Sequence, residues 1–523
     1  NNLKYTDLRE IKNEDGNYIF NEFLEILRRN IISDKSNAFN KIFNLFICKI
    51  IDEDINFNEN LDFQWLQTDN FESFINRIQN LYKKGMETYL NVKISKNLGD
   101  EFTFKEVFDE KTFDDNCKIV KEIVQLLEPY QLKYQSKQQY LGDFFEKLLN
   151  TGIKQEAGQF FTPIPLASFI CSCIPIEEII ERKNNSGEIN FLPYVIDYAS
   201  GSGHFITEII QIIENKIKLF DISHIKGGKS AISNFINTKN NYIWCKEYVY
   251  GIEKDYRLAK TTKVNSFLNG DGDANIYSED GLSSFKCEGY SGKLSSKNYE
   301  NSNFDILVAN PPYSISNFKS TLVDGKNSFK LFNFLKPNSN EIEDLFIERS
   351  SQLLSQNGYA GIILPRSVLT DKKLLGIETR KLLLENFELK SLVLLGTQAF
   401  AATDIMTTIF FMKRTNNPVN EKILICNLEK EDNRIQRDWL GYNAKKKRKG
   451  YDGIELYEDN ILKPETDINS KLHLNYYIKT ALLNGNIQKY FDKNGVFKAN
   501  SKIQKVMRLE EFDKIIDRDN YII

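Results

Sequence analysis

Histidine is scarce in this chain, with three among 523 residues. With no acidic residue at ligand spacing from any of them, that scarcity argues against a catalytic metal centre. Cysteine is also sparse: seven, an odd number, without framework spacing. Cys171 and Cys173 stand one residue apart, too close for a Cys-x-x-Cys zinc knuckle. A reduced, cytoplasmic protein is expected. No uncharged apolar run approaches the ~18 residues a membrane helix needs, and no N-terminal signal pattern appears. The chain opens on Asn1-Asn2 rather than Met, as expected of a chain that lacks its natural start. An excess of positive charge is missing too. The net charge of −3 is not that of a self-sufficient nucleic-acid binder, although positive charge gathered in one cleft meets the same need. Lys445-Lys446-Lys447-Arg448-Lys449 is the obvious basic run, and reads equally as a phosphate contact or a solvated loop. A motor is excluded: Gly227-Gly228-Lys229-Ser230 mimics a phosphate loop, but its first required glycine falls at Ser223. No nuclease carboxylate–lysine cluster is evident.

What is present points to transfer chemistry. An apolar, strand-like run, Phe304 to Ala309, leads into Asn310-Pro311-Pro312-Tyr313. Neither proline has an N–H, and both φ angles are fixed. The Asn310 side-chain oxygen and the Pro311 carbonyl can therefore accept from a flat amino group, with the Tyr313 ring available to stack. Such an arrangement suits N-methylation of an exocyclic amine. The plainer reading is a proline-terminated strand entering a turn.

Upstream, Tyr194 to Asp197 reads as a strand running into Tyr198-Ala199-Ser200-Gly201-Ser202-Gly203-His204-Phe205. Apolar residues at 206, 209, 210, 213 and 217 then predict a helix from Ile206 to Ile217. Strand, glycine turn and helix open a nucleotide-binding unit, because glycines admit a ligand to the backbone and the helix start supplies N–H groups. The third glycine of the dinucleotide fingerprint is missing. A second strand candidate, Tyr248 to Glu253, ends in a carboxylate placed to accept ribose hydroxyls, with Asp255 a near alternative. A third, Ala274 to Leu282, contains Asp280-Gly281, where the carboxylate either accepts the amino group of a cofactor adenine or simply makes a turn.

The length predicts two or three domains, and 41% hydrophobic residues can form substantial cores. Residues 1–135 look helical, with apolar residues at helical spacing over Phe20 to Leu27 and Ala38 to Ile51. Residues 136–430 alternate strands and helices, which implies a doubly wound, mostly parallel α/β sheet. Further strands are expected at Gly358 to Leu364, Lys390 to Leu395 and Thr407 to Met412, and a helix at Glu341 to Leu354. Ser314 to Ser339 reads as a long loop, mobile and functional by its length. Residues 431–523 form a turn-rich extension with a helical stretch near Tyr476 to Phe491, expected to start a DNA target-recognition region or to dock a separate one.

In this order, the glycine turn, Glu253, Asp280 and Asn310 to Tyr313 resemble the γ-class methyltransferases that act on the N6 amine of DNA adenine. Gly158-Gln159-Phe160-Phe161-Thr162-Pro163 is similar to a signature of type I restriction-modification methylation subunits and related fused enzymes. Phe400 to Lys413 is similar to their late strand motif. The resemblance covers about residues 130–430 and implies a Rossmann-like class I methyltransferase sheet whose closing strand is antiparallel. It implies S-adenosylmethionine as cofactor. Asp197, Gly201, Ser202, Gly203 and Phe205 would shape the cofactor site and Thr162 would lie over it. Glu253 would hold the ribose and Asp280 the adenine. Asn310, Pro311, Pro312 and Tyr313 would take a flipped-out adenine of double-stranded DNA, stacked on Tyr313. Tyr198 and Ser200 stand where relatives often carry Pro and Cys, a change of packing more than chemistry. No extended target-recognition domain is evident, so a specificity subunit or a further segment is expected, with a restriction subunit as another partner and no membrane. His204 is assigned no acid–base role. Competing readings are methylation of protein glutamine or RNA, and a non-catalytic scaffold that binds cofactor or DNA.

Overall fold

The computed structural model describes residues 2–32, 35–90, 92, 99–103, 110–133, 162–186, 191–219, 244–270, 274–395, 400 and 405–418, with strand segments at 423–427, 442–444, 447–449, 455–457, 462–464 and 502–507. Residues 158–161, 227–230, 439–441 and 476–491, part of the basic run and most of the C-terminal extension lie outside them. The chain forms two compact units. One comprises residues 1–154, 201–203 and 228–279, and the other residues 155–200, 204–227 and 280–523.

The first unit opens with four helices: α1 (Asn13–Arg29), α2 (Lys35–Ile55), α3 (Phe71–Leu90) and α4 (Glu110–Leu127). The Asp15 side chain accepts from the Lys12 N–H at 2.9 Å and so caps the start of α1. Ile19, Phe23, Ile26 and Leu27 fall on one face of α1 and are buried. Helix α2 is buried more nearly all round, and it encloses charge. Lys49 and Glu53, one turn apart, pair at 3.4 Å with both side chains fully buried. Glu53 also accepts the backbone N–H groups of Leu132 and Lys133, each at 2.9 Å. The same unit holds two parallel strands, here β2 (Val249–Ile252) and β3 (Asn275–Tyr277), joined by α8 (Tyr256–Leu268). Helix α8 packs on α2, and Lys260 reaches in to Asn44 and to the Tyr82 hydroxyl, the latter at 2.9 Å.

The second unit contains the larger sheet, built from β1 (Val195–Asp197), β4 (Phe304–Ala309), β5 (Leu354–Pro365), β6 (Phe387–Leu394), β7 (Thr407–Arg414), β8 (Ile423–Asn427) and β9 (Lys502–Met507). Their spatial order is β1-β4-β5-β7-β6-β8-β9. Pairs β1–β4, β4–β5 and β6–β8 are parallel. Strand β7 enters antiparallel between β5 and β6, as the resemblance implied, and β9 is antiparallel to β8. All six residues of β4 are buried, as a strand covered on both faces requires. The unit also holds helices α5 (Ile164–Cys173), α6 (Ile176–Asn185), α7 (His204–Leu219), α9 (Ile342–Leu353) and α10 (Leu374–Asn386). The helix expected from the apolar spacing is α7, and Ile206, Ile209, Ile210, Ile213 and Ile217 are all buried. Strand β5 starts four residues earlier than the sequence suggests. Phe304 pairs with Leu354 and Ile306 with Tyr359, so a bulge absorbs the polar residues between, with Asn357 at φ 65°.

Candidate functional site

Asn310 follows the last residue of β4, so the strand end carries the tetrapeptide. Its amide is held on both sides. Nδ2 donates to the Thr162 hydroxyl at 3.1 Å, and Oδ1 accepts from the Tyr313 hydroxyl. The Tyr313 hydroxyl also lies 3.3 Å from the Ile363 carbonyl on β5. The Tyr313 ring is 1% exposed, and burial pushes its phenol well above the ordinary tyrosine range. Tyr313 is thus neutral, and a base stacking on it would require the ring to leave this position. Thr162 and Pro163 are the described part of the Gly158 to Pro163 signature, and Pro163 precedes the first turn of α5.

His204, the first residue of α7, donates from Nδ1 to the Thr162 carbonyl at 2.7 Å. That bond requires the proton on Nδ1, since a carbonyl only accepts. Among the described residues, its Nε2 is buried without a hydrogen-bond partner, as is the Ser200 hydroxyl. Asp197 ends β1, is fully buried, and accepts the Ala199 N–H at 3.0 Å, which tightens the turn that follows. Phe205 is buried, with its carbonyl 3.9 Å from the Cys171 thiol.

Asp280 accepts the Leu282 N–H at 2.9 Å, the turn geometry of the plainer reading. Its carbonyl accepts from the Tyr290 hydroxyl at 2.6 Å. Gly281 is required here, because a Cβ would stand 2.3 Å from the Tyr198 carbonyl. Sequence reasoning missed Arg349, fully buried on α9, which donates to the carbonyls of Leu282 at 3.0 Å and Ser283 at 2.9 Å. Its guanidinium lies between the rings of Phe285 and Phe329, 4.2 and 4.8 Å from their centres. Desolvation lowers its pKa to about 10, so it remains charged at neutral pH. No signal in a helix carrying Glu343, Asp344, Glu348 and Arg349 together marks these charges as interior.

Ser314 to Ser339 is better fastened than an open loop. It contains the helical turns Phe318–Thr321, Gly325–Ser328 and Leu331–Phe334. Two buried carboxylates of α9 tie its first residue and its third helical turn. Glu343 accepts the Ser314 N–H at 3.0 Å, and Glu348 accepts those of Lys330 at 2.7 Å and Leu331 at 2.9 Å.

In the first unit, Glu253 follows β2 and is buried. Its carboxylate accepts the N–H groups of Gly201 and Asp255, each at 2.9 Å. Burial pushes its pKa up to about 7 despite these donors. Asp255 is committed elsewhere: it caps α8 by accepting the Arg257 N–H at 2.9 Å and pairs with the Arg257 guanidinium at 2.6 Å. The glycine turn is braced by Thr262, which donates to the Gly201 carbonyl at 2.7 Å, and by Asn265, which donates to the Ser202 carbonyl at 3.0 Å. Gly203 has φ 86°, and a Cβ there would lie 2.9 Å from a Thr262 methyl. The periodicity of α8 carries no sign of these two bracing residues.

A model of the N-6 DNA Methylase family matches residues 136–452. The type II restriction enzyme and methyltransferase RM.Eco57I of Escherichia coli is 26% identical over 452 residues, covering 76% of this chain and 42% of that protein. The type I restriction enzyme MpnII methylase subunit of Mycoplasma pneumoniae is 24% identical over 335 residues, 62% of this chain and 53% of that one. The chain spans about half the length of the curated relatives it matches, 42% to 54%. Among solved structures, the type I restriction-modification methyltransferase subunit from Streptococcus thermophilus superposes with a TM-score of 0.51 at 16% identity, over 97% of both chains. A chain from a type I restriction-modification system gives 0.51 at 17% identity, over 81% of this chain and 78% of that one. These structures share the fold, a mostly parallel α/β sheet flanked by helices. The match over residues 136–452, more than half of the chain, establishes that the chain belongs to the N-6 DNA Methylase family.

Proposed function

We propose that this chain is the methyltransferase of a restriction-modification system, methylating N6 of adenine in double-stranded DNA with S-adenosylmethionine as donor. The observation that carries this reading is Asn310 at the end of β4, its amide plane fixed by Thr162 and Tyr313. An adenine amine is a poor nucleophile because its lone pair is delocalised into the ring. Asn310 Oδ1 and the Pro311 carbonyl would accept its two N–H bonds and draw the nitrogen toward a tetrahedral form whose lone pair is localised. An amide oxygen accepts two hydrogen bonds, so the Tyr313 contact leaves this compatible with Asn310. Much of the acceleration would come from holding the amine in line, worth up to roughly 7–11 kcal/mol in favourable cases. The target base must leave the duplex to reach the site.

The residues suit the cofactor. The turn is made of small residues, and the buried Ser200 hydroxyl and His204 Nε2 are polar groups without hydrogen-bond partners among the described residues. Asp197, Gly201, Ser202, Gly203 and Phe205 would shape the site, Glu253 would accept the ribose hydroxyls, and Asp280 the adenine amine. When bound, the cofactor supplies an electrophilic methyl group. We keep the division into residues 1–135, 136–430 and 431–523 as helical, methyltransferase and extension segments, with a specificity subunit or a further segment choosing the DNA sequence.

The test is nucleoside mass spectrometry of unmethylated DNA incubated with tritiated S-adenosylmethionine. N6-methyladenine is expected, and Asn310→Ala should lower its formation by about 10²–10³-fold while leaving cofactor affinity within about twofold. Label recovered only in protein or RNA would overturn the reading.

A further inference from the structure

Thr162 belongs to the segment that resemblance places over the cofactor, yet its side chain is spent on Asn310. The Thr162 hydroxyl receives Asn310 Nδ2 at 3.1 Å, and Thr162 is 7% exposed, so water does not readily replace that partner. The two ends of an asparagine amide have nearly the same shape and opposite hydrogen-bonding character. Turned over, Asn310 would present N–H groups to an amine that itself donates. In the observed orientation the Thr162 hydroxyl accepts from Nδ2 and the Tyr313 hydroxyl donates to Oδ1; a hydroxyl can also donate, so the Thr162 bond supports this orientation and does not by itself exclude the other. Thr162 is in turn anchored by His204, whose Nδ1–H donates to the Thr162 carbonyl at 2.7 Å. The ring is 6% exposed, and its other nitrogen has no hydrogen-bond partner among the described residues, so the tie to Thr162 is the ring's polar contact there.

We propose that Thr162, held in place by His204, is a positioning residue for the methyl-transfer reaction, orienting the Asn310 amide so that its oxygen faces the target amine. This rests on the methyltransferase reading above. It moves Thr162 from cofactor contact to the support of the amine-binding group, and assigns His204 a role through its Nδ1–H rather than as an acid or base. The same arrangement links the start of α7 to the strand end: His204 begins α7, and Asn310 follows β4.

The test measures kcat, KM for DNA and cofactor affinity separately, using the full chain with whatever partner wild-type activity needs. Thr162→Val keeps the shape and removes the hydroxyl. It is expected to lower kcat by about 10–100-fold, the loss of one buried hydrogen bond at a reacting group. Its dissociation constant for S-adenosylmethionine should stay within about twofold. Thr162→Ser should recover most of the rate. Should the valine variant fold poorly, Thr162→Cys fills similar space with a weak acceptor and carries the same expectation. His204→Ala should show the same kcat loss, and His204→Asn, which keeps a donor near the Nδ1 position, should restore it in part. A tenfold weaker cofactor affinity in Thr162→Val, with kcat unchanged at saturation, overturns the proposal, as does wild-type kcat in that variant. Cofactor affinity is read without methylation, so a wild-type chain that methylates no DNA defeats the function reading alone. The affinity of Thr162→Val still decides whether Thr162 serves the cofactor.

Discussion

At the scale of single residues, the second-strand carboxylate makes the clearest chemical prediction. Glu253 is buried and its pKa is raised to about 7, so it changes charge near neutrality. A protonated carboxyl has lost an acceptor and gained a donor, and is poorly matched to two ribose hydroxyls. Affinity for S-adenosylmethionine should therefore fall as pH drops from about 8 to 6, and Glu253→Gln should weaken binding and remove that dependence; calorimetric titration across the range checks both. The stability linkage has the opposite sense. A carboxyl whose folded pKa exceeds its unfolded one favours the folded state below the unfolded value, and loses that contribution as pH rises through the folded value. Without cofactor, Glu253 should thus cost stability between the ordinary glutamate range and pH 7. A pH-independent affinity would remove Glu253 from the ribose role.

Elements in this protein are fastened to one another by buried charge as well as by apolar faces. Asp305, the second residue of β4, accepts from Lys183 Nζ on α6 at 2.7 Å and from the Tyr194 N–H at 3.0 Å, and pairs with Arg182 at 3.3 Å. Lys183 and Asp305 have side chains 5% and 8% exposed. Removing one partner of a buried pair strands the other charge, which typically costs about 3–5 kcal/mol, whereas an exposed pair contributes about 1 kcal/mol or less. Asp305→Ala should lower the urea-denaturation stability by that larger amount, and Asp305→Asn, which keeps an acceptor for Tyr194, by less. A change under ~1 kcal/mol would show that the pair is not integral to the packing of α6 on the sheet. Apolar periodicity located α7, and an apolar run interrupted only by Asp305 located β4 to the residue. It misjudged Ser314 to Ser339, because the carboxylates of Glu343 and Glu348 that hold this segment come from a helix whose charges look solvent-facing in one dimension.

For the whole molecule, charge and coverage point the same way. A net charge of −3 leaves little general attraction for a phosphate backbone, and the chain spans about half the length of its curated relatives. The relatives include methylase subunits of type I restriction enzymes. The chain alone is expected to bind S-adenosylmethionine and to methylate DNA poorly, and the addition of a specificity partner should raise N6-methyladenine formation at least about tenfold, with binding that weakens steeply with salt. Full, sequence-specific activity from the chain alone would place target recognition within these residues. Among the described residues no helix is long and apolar enough to cross a membrane.

Chemistry that depends on residue type and order was readable without coordinates. Two prolines after Asn310 remove backbone donors, glycines after β1 open the backbone, and an acid after β2 has one obvious use, so family and fold class follow from local covalent properties. The tertiary structure decided the rest, because it depends on which distant groups meet. It spent Asp255 on the cap of α8 and turned the Glu253 carboxylate onto the Gly201 and Asp255 N–H groups. It buried Tyr313 against Asn310, and turned the Thr162 hydroxyl toward the Asn310 amide. It also drew Arg349 under the Asp280 turn. A hydrogen bond across 148 residues of chain leaves no periodicity and no motif, only a distance, and distances exist once the chain has folded.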